Sequence, residues 1–143
     1  MFKGCIKLEE VNITAIISTE IEDIESMFED CKYLRVIIFS NDFLTGEIKS
    51  LNNVFKNTNL ATLEISFLRL YSLQTFTNVS SGASIKGILK LGKYYSNNET
   101  RDNFFKEIAR VTHSSTAVYV PRGILLYIIF GNIYYSIQKL ILL

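Results

Sequence analysis

Apolar side chains recur along this chain in pairs separated by one residue, and the pairs themselves recur. Val11 with Ile13, Ile37 with Phe39, Leu63 with Ile65 and Leu89 with Leu91 fall on one period of 26 residues, and Val118 with Val120 follows after 29. Alternate residues of a β-strand share a face, so each pair marks a short strand with one apolar side. Leu8, Leu34 and Leu60 precede the first three pairs by three positions, giving LEEVNI, LRVIIF and LATLEI, an L-x-x-L-x-L shape. Between strands the apolar spacing changes to three or four, in Ile21, Ile24, Met27 and Phe28 and again in Ile48, Leu51, Val54 and Phe55. That spacing predicts one or two helical turns. The longest helical signal is NNETRDNFFKEIARVTH, where Phe104, Ile108 and Val111 form a stripe and Asn98 or Thr100 is placed to cap the start.

One strand plus one helical turn cannot enclose a core, whereas stacked copies bury a continuous one. The period therefore predicts an α/β solenoid, with short parallel strands on a concave face, helical turns on a convex face and a C-terminal capping helix. We divide the single domain, 1–143, into repeats at about 1–26, 27–53, 54–80 and 81–115, followed by a terminal strand and helix over 116–143. The third repeat is the least regular, because SFLRLYSLQTFTNVSSGAS carries Leu70, Leu73 and Phe76 without a clear strand-to-strand pattern.

Composition narrows the function classes. Apolar residues make up 48% and charged residues 20% of the 143, which suits a globular domain rather than a disordered chain. Fifteen basic against fourteen acidic residues leave a formal charge of +1, so the electrostatic footprint of a nucleic-acid binder is missing. No basic segment, apolar run and cleavage site precede the first repeat, so no signal peptide is visible. The chain opens at Met1 in mid-pattern, from which we expect a fragment of a longer protein.

Met1, Phe2, Cys5, Leu8, Val11 and Ile13 reappear as Met27, Phe28, Cys31, Leu34, Ile37 and Phe39, and Val54, Phe55 and Thr58 take the first three places again. This unit resembles the Met-Phe-x-x-Cys-x-x-Leu-x-x-Leu-x-Leu repeat of the BspA-type leucine-rich repeat proteins of bacterial and protist surfaces. YVPRG at 119–123 is similar to the strand end that leads into the last helix of such proteins. The resemblance implies a right-handed solenoid at the cell surface or secreted, a non-enzymatic module that binds a protein or glycan ligand in the manner of an adhesin.

In a stack, the strand residues between the buried markers face the open side. One column is Glu10, Val36, Thr62 and Ile88, and the next is Asn12, Ile38, Glu64, Lys90 and Tyr119. Apolar Val36, Ile38 and Ile88 on that side mark either a protein-binding strip or residues that only favour strand. Cys5 and Cys31 occupy the same place in successive repeats, which permits a disulfide; Thr58 in the third place favours small buried residues, hence free thiols. His113 is the lone histidine, followed by Ser114 and Ser115, and is explained by the end of a helix better than by a nucleophile and base. No metal-ligand spacing or phosphate-binding glycine motif is present, so neither metal nor cofactor is predicted.

The tail GILLYIIFGNIYYSIQKLILL, residues 123–143, supports a capping helix that closes the core. Its length and apolarity also support an alternative, a membrane-anchored structural protein in which 123–143 is a transmembrane helix. An apolar outer side on a cap would further favour self-association.

Overall fold

The computed structural model describes residues 2–13, 23–39, 48–121 and 140–142. It is an α/β fold in which six strands form one parallel sheet: β1 Glu10–Ile13, β2 Val36–Phe39, β3 Asn59–Glu64, β4 Ser84–Lys90, β5 Ala117–Val120 and β6 Leu140–Leu142. The order in space is the order in the chain, and every neighbouring pair is parallel. Helix α1, Asn98–Ala109, fills the connection between β4 and β5.

Register follows the 26-residue period. Val11 pairs with Ile37, Ile37 with Leu63, Leu63 with Leu89, and Leu89 with Val118. All five side chains are buried. The sheet slips between Leu60 and Thr62, where β4 carries Gly87. A Cβ at Gly87 would lie 2.6 Å from the Ala61 carbonyl oxygen, so glycine lets the strands approach at this irregularity.

Behind the sheet the repeats continue to stack. Phe28 lies between Phe2 and Phe55, with ring centroids 5.7 Å and 6.3 Å away and planes only 8° and 4° from parallel. In the next position stands Ser80, whose hydroxyl donates instead to the Glu107 carbonyl of α1. The Phe28 ring is fully buried, as are Leu34, Leu51, Val54 and Leu63, so one apolar column runs between sheet and turns. Burying each such side chain contributes about 1.5–3 kcal/mol.

Helical turns are expected over 21–28 and 48–55; the described parts of these segments form successive β-turns instead. Met27 N donates to Ile24 O and Glu29 N to Ser26 O, each spanning three residues, and the following bonds cross to the next repeat, as Phe28 N to Val54 O and Phe55 N to Val79 O. The reason lies in two columns of left-handed residues, Ser26, Asn53 and Asn78, and Gly4, Asp30, Asn57 and Gly82, with φ from 52° to 71°. A right-handed helix cannot pass through such residues, and Asn, Asp and Gly adopt them at least cost. The turned backbone then satisfies its N–H groups across repeats rather than along a helix.

Three further expectations are corrected. Helix α1 is capped by Asn97, not Asn98 or Thr100: its side-chain oxygen accepts from Thr100 N at 2.8 Å. Its buried side is wider than the anticipated stripe, adding Arg101, Phe105 and Ala109 to Phe104 and Ile108, and the Phe104 and Phe105 rings pack on Phe76 and Tyr95 of the connecting segments. The helix expected over 123–143 does not reach its end as such, since Leu140–Leu142 form β6 against β5. An open parallel edge offers backbone partners that Leu-Ile-Leu can take up as strand. Most of that expectation, over 123–139, lies outside the described residues. Among the described residues no helix is long and apolar enough to cross a membrane.

Candidate functional site

The strands alternate inward and outward. Val11, Ile13, Ile37, Phe39, Leu63, Leu89, Val118 and Val120 point into the core, so the residues between them stand on the outer face of the sheet. Pairing aligns Glu10, Val36, Thr62 and Ile88 into one column, and Asn12, Ile38, Glu64, Lys90 and Tyr119 into a second. All nine anticipated residues therefore lie in two adjacent rows. Glu10 and Asn12 are exposed and the other seven half-buried. Ala117 extends the first column beyond Ile88 and was missed, although it stands 29 residues on, the same step that separates Lys90 from Tyr119.

The face is chemically divided. Val36 and Ile38 place two branched aliphatic side chains on β2 beside polar Glu10 and Asn12 on β1. On β3 to β5, Lys90 Nζ lies 3.3 Å from Glu64 Oε1 and 5.4 Å from the Tyr119 ring centroid. Cross-strand ion and cation–ring contacts of this kind hold the side chains in place while leaving them half open to solvent.

Other candidates resolve into structural roles. Cys5 and Cys31 are free thiols. Cys31 is buried, donates to the Phe2 carbonyl at 2.9 Å, and has its thiol pKa pushed up by burial. Cys5, expected buried, is exposed, because among the described residues no further turn covers the outer side of the first repeat. Thr58 in the equivalent place donates to the Phe55 carbonyl at 2.7 Å. His113 is exposed, and its backbone N–H donates to the Thr116 hydroxyl, which itself donates to the Ile85 carbonyl; the His-Ser-Ser turn thus ties α1 to β4 and β5. Among the described residues no group of three His, Cys, Asp or Glu side chains could hold a metal. A shallow depression of 410 Å³ between Gln74, Phe76, Asn78 and Glu107 is too open to enclose a substrate.

On the turn side, Glu29 receives Lys3 at 3.0 Å and Lys56 at 3.7 Å, linking three successive repeats. The Ser26 hydroxyl and then Lys3 hold its carboxyl below the usual range.

Comparisons with family models, with curated proteins and with solved structures return no significant match to this chain.

Proposed function

We propose that the chain is a leucine-rich-repeat solenoid of the BspA-like kind and that it acts as a non-enzymatic binding module, taking a protein or glycan ligand on the outer face of its sheet. The observation that carries this reading is the pair of in-register columns, in which Val36, Ile38 and Ile88 are half-exposed next to Glu64, Lys90 and Tyr119. A strip that sets aliphatic area and an aromatic ring beside an ion pair matches the apolar centre and polar rim of an interface. The in-register parallel strands and stacked turns support the repeat architecture, and with it placement at the cell surface or in secretion. Catalysis has no part in the reading.

The test is binding of the chain to an arrayed panel of surface glycans and extracellular proteins, repeated with Ile38→Lys and Tyr119→Ala. The reading expects a saturable binder that both variants lose while their melting stays cooperative. Binding that survives both substitutions would remove the sheet face from the account.

A further inference from the structure

The ladder that joins the turns behind the sheet stops one step short. Ser26, Phe28 and Asp30 donate their backbone N–H groups to carbonyls of the following turn. There Asn53, Phe55 and Asn57 donate in the same way to the Thr77, Val79 and Ser81 carbonyls, at 3.1, 2.9 and 2.9 Å. The next donors in register are Asn78, Ser80 and Gly82. Their backbone repeats the set before, with φ of 52° at Asn78 against 58° at Asn53, and 68° at Gly82 against 56° at Asn57. The N–H groups therefore keep the same direction, away from the preceding turn and toward α1. Among the described residues no carbonyl receives them. The cause is α1 itself, which stands where the next turn would continue the ladder. A helix takes up its carbonyls in its own bonds except in its last turn. There the Glu107 carbonyl accepts the Ser80 hydroxyl at 3.2 Å, not the Ser80 N–H.

Space lies in front of this row. Two depressions of 410 and 270 Å³ share Asn78 and Glu107, and together they run along residues 74–82 on one side and α1 on the other. Asn78, Ser81 and Gly82 are exposed there. Such a trough is too open to enclose a small molecule and suits a chain that passes through it. Donors at every second residue, all facing one way, match the alternate carbonyls of a peptide lying alongside, which is what the two earlier sets of donors receive. We propose that the trough between residues 74–82 and α1 binds a peptide segment of a partner protein, whose alternate carbonyls accept from Asn78, Ser80 and Gly82. Small side chains at Ser80, Ser81 and Gly82 leave room for those of the peptide. A saccharide fits less well, because its oxygens do not repeat at the spacing of alternate peptide carbonyls. The inference is independent of the sheet-face reading.

Amide hydrogen exchange and amide chemical shifts of the intact chain test it. The probe is the synthetic octapeptide TFTNVSSG, because residues 75–82 are the segment that receives the preceding donors. In the free chain Asn78, Ser80 and Gly82 should exchange faster than Asn53, Phe55 and Asn57 by about tenfold or more. The octapeptide should shift these three amides saturably and slow their exchange, whereas its D-enantiomer and maltotetraose should do neither. Thr77→Trp and Glu107→Trp, which fill the trough, should each weaken binding by about tenfold or more while melting stays cooperative. Ile38→Lys should leave it unchanged. Protection of the three amides in the free chain, no response to the octapeptide, an equal response to either comparison, or full binding in both tryptophan variants would overturn the proposal.

Discussion

Lys90 engages two neighbouring strands at once, its Nζ 3.3 Å from Glu64 on β3 and 5.4 Å from the ring centre of Tyr119 on β5. Three residues separated by 26 and 29 positions in sequence thereby become one patch on the sheet. Both partners of the ion pair keep about a quarter to a third of their side chains in solvent, so the pair positions groups more than it stabilises the fold.

Lys90→Met should therefore lower stability by only about 1 kcal/mol or less in urea denaturation. The same variant should lose binding at the sheet face, because Glu64 and Tyr119 are then released together. A large stability loss would mean that the patch is part of the core.

Phe28 is the opposite case. It has no exposed surface and is held between two parallel rings, so Phe28→Ala leaves a cavity between Phe2 and Phe55. We expect a loss of about 3–5 kcal/mol, read as a lower urea midpoint with unchanged cooperativity.

Glycines in the sheet and in the turns should respond differently. Gly87→Ala pushes a methyl group onto the Ala61 carbonyl of the adjoining strand, and the cost should be about 1–3 kcal/mol. Gly4 has φ of 71° but open space around it, so Gly4→Ala carries only the left-handed penalty of about 1–2 kcal/mol. Thermal melts of the two variants, paired with a hydrogen-exchange map, should show protection lost in β3 and β4 for the first and near the first turn for the second.

Glu29 gives stability a pH dependence of known sign. Its carboxyl is held below its usual 4.5 by Ser26 and Lys3, so the folded state favours the charged form more than the unfolded state does. That contribution is fully present above pH 4.5 and is lost as pH falls below it through the folded value. Urea midpoints measured from pH 6 down to about pH 3 should fall less steeply in Glu29→Gln than in the parent chain.

The columns were legible because parallel in-register pairing converts a constant sequence period into a straight row. Val11, Ile37, Leu63 and Leu89 need no other information to be aligned. The turn side was not legible in the same way. Ser26 and Asn53 fall within the spans where apolar spacing predicts helical turns, and only their positive φ, with that of Asp30 and Asn57 just beyond, shows that the chain reverses there. The third repeat resisted for a related reason: Leu68, Leu70, Leu73 and Val79 are all buried, but on a chain of successive turns that has no fixed period. Tyr94 stands 25 residues from Arg69, close to the repeat step, but no alternating apolar pair marks the register in these loops, so their contact was not read from the sequence.

Nuclear Overhauser contacts among labelled methyl groups of Val11, Ile37, Leu63 and Leu89 test most directly whether the repeats stack as adjoining layers. Neighbouring strands lie about 4.8 Å apart, so cross-peaks should join Val11 to Ile37, Ile37 to Leu63 and Leu63 to Leu89, with none between Val11 and Leu89. A direct Val11 to Leu89 contact, or no contact between Ile37 and Leu63, would contradict the stacked arrangement and the ligand face built on it.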